Sequence, residues 1–181
     1  MTPAQQIEAL IVREGGYVDN PSDRGGPTRY GITQAVARAN GYAGDMRVLP
    51  IALARSIYLK SYWTGPGFDR VAQRVPHVAG ELFDTGVNMG VVAAAKFLQR
   101  ALHVLTALPV VCDGVIGSGT LVVLDSYMVQ RKAQDGEAVL VEMINDMQGV
   151  RYVELVEANP SQGAFIFGQI RNRVLDRSPS A

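Results

Sequence analysis

Apolar residues recur at helical spacing along most of the chain, beginning close to its N-terminus. Ile7, Leu10 and Ile11 follow the i, i+3, i+4 pattern of a single helix face. Glu14 lies one step further along the same face and is followed directly by Gly15. The pattern therefore predicts a first helix that ends at Glu14 and has a carboxylate at the end of its apolar stripe.

Seven further segments have helical periodicity and are bounded by residues that start or stop helices. They are predicted at 33–40, 50 to about 63, 76–89, 91–105, about 120–132, 136–158 and 162–175. Long strand patterns are missing between these segments. We therefore predict a mainly α fold.

The segment between the first two predicted helices has a different character. Pro21, Gly25, Gly26 and Pro27 interrupt residues 17–33, so this part is not helical. We expect Val18 and the run 30–32 to pair as short strands. A polar segment of this length between helices of a small domain is often functional, although an ordinary surface loop has the same composition.

Glu14 is the first candidate for chemistry. Partial burial and the negative end of the helix dipole both disfavour the charged carboxylate. A general acid has to be protonated before it acts, so both effects suit that role. The spacing is equally consistent with a surface glutamate at a frayed helix end.

Composition and charge narrow the possible partners. The chain has 181 residues, of which 48% are hydrophobic and 19% are charged, so it can bury a core as one compact domain or two small lobes. Its 17 basic and 17 acidic residues cancel. There is no basic surplus to indicate nucleic acid, and we expect no nucleic-acid partner.

The few cysteines and histidines argue against a metal site. Cys112 is the single cysteine and follows an apolar run, so we expect a buried free thiol. His77 and His103 are the only histidines, and we expect neither a metal nor a cofactor.

The N-terminus lacks a signal-peptide pattern, and no apolar run approaches the ~18 residues of a membrane span. We expect synthesis in the cytoplasm without membrane insertion.

Two groups of side chains could contact a polar ligand. Tyr58, Tyr62 and Trp63 lie close together in a chain with few large aromatics, and sugar rings stack on such faces. Packing in the core is the commoner role for aromatic residues. Asp84 and Asn88 share one face of the helix predicted at 76–89, where solvation alone would also account for them.

The motif around Glu14 closely resembles the signature of glycoside hydrolase family 108, which contains the muramidases of phage endolysins and related secretion activator proteins. The matching residues run Glu14-Gly15-Gly16-Tyr17, Pro21-x-Asp23-x-Gly25-Gly26, Thr28 and Tyr30-Gly31-Ile32-Thr33. Later elements agree in order: Tyr58 to Trp63, Asp84 to Gly90, Gln99-Arg100-Ala101-Leu102, and Asp113-Gly114-x-Ile116-Gly117-x-x-Thr120. The last of these also occurs in other wall-binding modules.

The resemblance implies a lysozyme-like helical fold with a short β-hairpin or loop after the first helix. It also implies two segments packed as one compact, monomeric unit. Residues 1–90 would be catalytic, and residues 91–181 are similar to the predicted peptidoglycan-binding domain that follows the catalytic segment in this family. Bacterial peptidoglycan is the implied partner.

The resemblance implies that Glu14 is the catalytic acid, cleaving the β-1,4 bond between N-acetylmuramic acid and N-acetylglucosamine. Glycosidases usually need a second carboxylate. Asp23 is our candidate for that role, and Asp19 is its competitor. Thr28 could instead hold the nucleophilic water. The candidate substrate contacts are Thr28, Tyr30, Tyr62, Asp84 and Asn88.

Three functions remain open at this point. The first is a phage or prophage endolysin, released by a separate membrane-permeabilising protein to act on the wall in the periplasm. The second is a lytic transglycosylase, which also uses one glutamate. The third is a non-catalytic protein that binds the wall or is associated with secretion.

Overall fold

The computed structural model describes residues 3–19, 26–160 and 163–171. These residues form nine α-helices and one small antiparallel sheet. The helices are α1 (Pro3–Glu14), α2 (Gln34–Ala39), α3 (Ile51–Leu59), α4 (Phe68–Ala72), α5 (Pro76–Met89), α6 (Val91–Thr106), α7 (Ser118–Arg131), α8 (Gly136–Ala158) and α9 (Gly163–Gln169). The prediction of a mainly α, lysozyme-like fold is confirmed.

Two local features of the helices were not predicted. After α3 the backbone continues as a π-helical turn, Lys60–Thr64, which closes with a hydrogen bond from Gly65 N–H to the Lys60 carbonyl (2.9 Å). Helix α4 has only five residues, too few for an apolar periodicity to be recognised. The other helix bounds follow the predicted segments closely, except at the last helix: α9 ends at Gln169 where a helix to 175 was predicted, and residues 172–175 lie outside the described residues.

The sheet follows the first helix, as expected, but its pairing differs from the prediction. Strands β1 (Tyr17–Val18), β2 (Thr28–Arg29) and β3 (Ile32–Thr33) are antiparallel in that order, and Val18 lies opposite Thr28. The predicted pairing of Val18 with residues 30–32 is wrong. Tyr30 and Gly31 have φ angles of 53° and 72°, which suit a two-residue hairpin turn rather than a strand.

The chain divides into two compact units, residues 1–65 and 66–181. In the first unit, α1 packs against α3, and both contribute buried apolar residues. The same two helices are joined at the surface by an ion pair in which Arg55 Nη2 donates to Glu8 Oε2 (2.9 Å). The β-hairpin connects α1 to α2, and Thr33 caps α2 by accepting a hydrogen bond from Val36 N–H (3.3 Å).

In the second unit, α5 packs against α4, α6 and α8, and α6 also contacts α7 and α8. Fully buried side chains fill the space between these helices, among them Phe68, Leu82, Leu98, Leu102, Leu124, Leu140 and Ile144. Residues 66–90 therefore pack with the helices that follow them. The segment boundary at residue 90 stays a prediction. None of the helices among the described residues is long and apolar enough to cross a membrane.

Cys112 is exposed, so the prediction of a buried thiol is wrong. It lies between α6 and α7, where the backbone is irregular and does not pack Cys112 into a core. Its apolar neighbour Val111 is exposed as well. A short apolar run without regular secondary structure does not identify a buried position.

A buried glutamine organises the loop that precedes α7. Gln99 is 0% exposed, and its Nε2 donates to Asp113 Oδ1 (2.8 Å), the Val115 carbonyl (3.0 Å) and Thr120 Oγ1 (3.3 Å). Its Oε1 accepts from Gly114 N–H (2.8 Å). These bonds hold the pKa of Asp113 below its ordinary value, with the Gln99 amide as the main cause. One side chain thus connects residues 113–115 of the loop to Thr120 on α7.

We predict that Gln99→Leu destabilises the protein, because the Gly114 N–H and the Thr120 hydroxyl lose their partner. The expected loss is about 2–3 kcal/mol of unfolding free energy, measured by urea denaturation. The control is Gln130→Leu on α7, where the Nε2 of an exposed glutamine donates to Ser126 Oγ (3.4 Å). Equal stability of the two variants would contradict the proposed role of Gln99.

Candidate functional site

Glu14 is the last residue of α1 and stands where the helix meets the hairpin. Gly15 follows with φ of 73°, and its N–H donates to the Ile11 carbonyl (3.1 Å), which ends the helix. The Glu14 side chain is 41% exposed, and one of its oxygens lies 3.6 Å from Arg13 Nη2. Glu14 therefore has a partly covered stem and a carboxyl group that solvent can reach.

The Tyr30–Gly31 turn covers that stem. A Cβ built on Gly31 would lie 3.0 Å from Glu14 Cγ and 3.2 Å from Glu14 Cβ, and it would collide with the Tyr58 hydroxyl. Gly31 also has a positive φ, which favours glycine on its own account. Only a residue without a side chain lets the turn, Glu14 and Tyr58 approach this closely.

Tyr58 joins the turn to α3. It is 6% exposed, and its hydroxyl donates to the Tyr30 carbonyl (2.7 Å). Burial raises the pKa of Tyr58 to about 12, with a further contribution from the negative charge of Glu14. The hydroxyl therefore stays protonated near neutral pH and continues to donate this hydrogen bond.

The Tyr30 side chain is held by its neighbour in β2. The Arg29 guanidinium lies 4.9 Å from the centre of the Tyr30 ring, and Arg29 Nη2 donates to the Tyr30 hydroxyl (3.2 Å). Arg29 Nε is buried without a hydrogen-bond partner among the described residues. A cation thus lies beside the same turn that covers Glu14.

Tyr62 lies in the π-helical turn and is partly exposed. Its ring centre is 5.9 Å from that of Tyr58, and the two planes are inclined by 32°. Trp63 follows it and is also partly exposed. The π-helical turn therefore presents aromatic surface next to Tyr58, which contacts the Tyr30–Gly31 turn.

Three further candidates, Thr28, Asp19 and Asp23, come from the segment between α1 and α2. Thr28 lies in β2, and its hydroxyl donates to the Gly26 carbonyl (3.3 Å) within the same turn. Asp19 is exposed and accepts a hydrogen bond from the Tyr17 hydroxyl (3.0 Å). Asp23, the preferred second carboxylate, lies outside the described residues.

Asp84 and Asn88 lie in the second unit, on α5. Asn88 Nδ2 donates to the Asp84 carbonyl (2.6 Å) and approaches Asp84 Oδ2 (3.3 Å). Asn88 is exposed and Asp84 is partly exposed. The two side chains form one polar pair on the helix surface, as their spacing predicts.

Within the first unit, the structure brings Glu14, Tyr30 and Tyr62 into one neighbourhood through Tyr58. The roles of Gly31 and Tyr58 were not predicted. Gly31 lies within the motif Tyr30-Gly31-Ile32-Thr33, and a glycine in such a motif could have suggested that another side chain approaches the backbone closely there. Tyr58 was identified within a motif and as an aromatic residue, but nothing in the sequence indicated its contact with the turn, because that contact links residues 28 positions apart.

Electrostatics and geometry define what this neighbourhood can do. A carboxyl group that solvent can reach, on a fixed stem, can exchange a proton with a bound ligand. Aromatic rings beside it can stack on sugars. The described residues contain no group of three or more side chains suited to holding a metal ion.

Two family models match the chain in succession. Residues 7–90 match the model described as Glycosyl hydrolase 108, and residues 93–174 match the model described as Predicted Peptidoglycan domain. The resemblance identified from the sequence motifs is confirmed. Together the two matches support a hydrolase or binding function related to peptidoglycan.

One solved structure with a similar fold is titled "Structure of Brucella abortus SagA". It shares 22% sequence identity, with 97% of each chain covered and a TM-score of 0.58. At this identity the likeness shows the fold alone. A comparison with curated protein sequences gave no match.

We predict that Gly31→Ala costs about 3 kcal/mol of stability, because alanine is strained at this φ and its Cβ overlaps Tyr58 and Glu14. Urea denaturation measures the loss. Gly16→Ala is the control from the same motif, since no atom lies within 4 Å of its built Cβ. A Gly31→Ala variant as stable as Gly16→Ala would mean that the close approach is not required.

Proposed function

We propose that the protein is an N-acetylmuramidase, because residues 7–90 match the glycosyl hydrolase 108 model and residues 93–174 match the model of a predicted peptidoglycan domain. It cleaves the β-1,4 bond between N-acetylmuramic acid and N-acetylglucosamine in bacterial peptidoglycan. Glu14 is the general acid: it donates its proton to the bridging oxygen as the bond breaks and an oxocarbenium-like transition state develops.

The position of Glu14 is the observation that carries this proposal. Its stem is held between α1 and the Tyr30–Gly31 turn, while its carboxyl group remains accessible to solvent. A general acid needs a fixed geometry and access to the leaving oxygen. The other carboxylate of the same helix, Glu8, is paired with Arg55 instead.

A second carboxylate completes the reaction by activating water or by acting as a nucleophile. Inverting enzymes separate the two carboxyl groups by about 6.5–9.5 Å and retaining enzymes by about 5–5.5 Å. Asp23 is our first candidate for this role and Asp19 the second. Thr28 is the candidate for holding the attacking water.

The substrate contacts proposed around Glu14 are sugar stacking on Tyr62 and polar or ring contacts from Tyr30. Asp84 and Asn88 are proposed as hydrogen-bonding partners of the polymer. The second half of the chain supplies affinity for the wall. The enzyme is proposed to act as a monomer without any cofactor.

The biological setting that suits this function is a phage or prophage endolysin. Such an enzyme is made in the cytoplasm, is released by a separate membrane-permeabilising protein, and acts on the wall in the periplasm. Lysis of sensitised cells by the purified protein, measured as loss of turbidity, is the corresponding activity.

We predict that Glu14→Gln lowers the rate of peptidoglycan digestion by about 10²–10⁴-fold, because the amide cannot donate the proton. The measurement is the release of soluble muropeptides from purified walls. Glu8→Gln is the matched control, because Glu8 lies on the same helix and is 46% exposed. It loses only a surface ion pair, so its activity should stay within about twofold of the unmutated protein.

Mass spectrometry of the products separates the three functions that the sequence left open. A muramidase leaves reducing N-acetylmuramic acid ends, whereas a lytic transglycosylase leaves 1,6-anhydro ends. Binding to insoluble peptidoglycan without release of sugar would indicate a non-catalytic protein. Normal digestion by Glu14→Gln would remove Glu14 from the mechanism.

We predict that Asp23→Asn lowers the rate by at least tenfold and that Asp19→Asn does not, because only the essential second carboxylate serves the reaction. Initial rates on the same purified walls measure both. Each exchange removes one charge and keeps the side-chain shape. The reverse order of effects would transfer the role to Asp19.

A further inference from the structure

We propose that Tyr58 is the positioning residue of Glu14: through the Tyr30–Gly31 turn it holds the stem of the general acid in one orientation. The proposal rests on the function proposed above. It goes further by assigning a role in the reaction to a residue that need not touch the substrate.

The backbone of the turn is bound from two sides. The Tyr58 hydroxyl donates to the Tyr30 carbonyl (2.7 Å), and Tyr30 N–H donates to the carbonyl of Gly15 (3.2 Å), the residue after Glu14. The peptide groups of Tyr30 thus connect α3 to the end of α1. Loss of the hydroxyl would release one of these two attachments.

The available space couples the turn to the Glu14 side chain. A Cβ on Gly31 would overlap the Tyr58 hydroxyl and would lie 3.0 Å from Glu14 Cγ and 3.2 Å from Glu14 Cβ. If the turn moves, it uncovers or pushes the stem. The orientation of Glu14 therefore depends on where Tyr58 holds the turn.

The chemistry of Tyr58 suits positioning rather than proton transfer. Burial raises its pKa to about 12, so near neutral pH the hydroxyl stays protonated and keeps its bond to the Tyr30 carbonyl. Transfer of that proton to a substrate is unfavourable, because it would leave a buried negative charge beside Glu14. Because catalysis depends on sub-ångström placement of the reacting groups, a small shift of Glu14 would reduce turnover more than substrate binding.

The test compares two buried tyrosines whose hydroxyl groups each donate a hydrogen bond to a backbone carbonyl. Tyr127 is 2% exposed and donates to the Gly136 carbonyl (2.9 Å) in the second unit, so Tyr127→Phe and Tyr58→Phe each remove one buried hydrogen bond to a backbone carbonyl. Both variants should lower Tm to a similar extent. Tyr58→Phe alone should lower kcat, by at least tenfold, with KM within twofold.

A purely structural role for Tyr58 predicts a different result, in which kcat of Tyr58→Phe stays within twofold of that of Tyr127→Phe. That outcome would overturn the proposal. A rise in KM with unchanged kcat would also overturn it, because the hydroxyl would then act in substrate binding rather than in positioning the acid.

A second measurement does not depend on activity. The ¹³C resonance of the Glu14 carboxyl group, assigned by its disappearance in Glu14→Gln, should shift in Tyr58→Phe and stay in place in Tyr127→Phe. An unchanged resonance in Tyr58→Phe would overturn the proposal. If the unmutated protein releases no sugar, the proposed function fails, and this resonance still decides whether Tyr58 controls the position of Glu14.

Discussion

The first unit depends on one close approach, the contact between the Tyr30–Gly31 turn and the stem of Glu14. A helix end, a hairpin turn and a tyrosine of α3 meet where a single methyl group would not fit. The hydrogen bonds of Tyr30 to Gly15 and Tyr58 hold this arrangement. The exposed carboxylate at the end of α1 thereby gains a defined position.

Most of the fold could be predicted because its signals are local. The apolar spacing of Ile7, Leu10 and Ile11 determines a buried helix face without reference to the rest of the chain. The strand pairing could not be predicted, because it depends on positive φ at Tyr30, a conformation that few residues other than glycine adopt readily. The burial of Cys112 was mispredicted because an apolar run indicates hydrophobicity but not packing.

The candidate site could be predicted only in part, for the same physical reason. Glu14 was found through its motif and its place on a helix face, whereas Tyr58 acts through a tertiary contact that no local pattern contains. The later motif around Asp113 shows the converse case. Its residues form hydrogen bonds with one another around Gln99, and Ile116 is buried, so the motif has a role in the structure of the loop.

The π-helical turn at Lys60–Thr64 makes the direction of its aromatic side chains depend on the number of residues in the turn. Such a turn has one residue more than an α-helical turn, and a surplus residue rotates the side chains that follow it within the turn by about 100° about the helix axis. Tyr62 and Trp63 owe their direction to that surplus residue as well as to their own identity. A single-codon deletion there would redirect both rings at once, whereas a point substitution would leave their backbone direction intact. The number of residues in this turn therefore determines the direction of both rings.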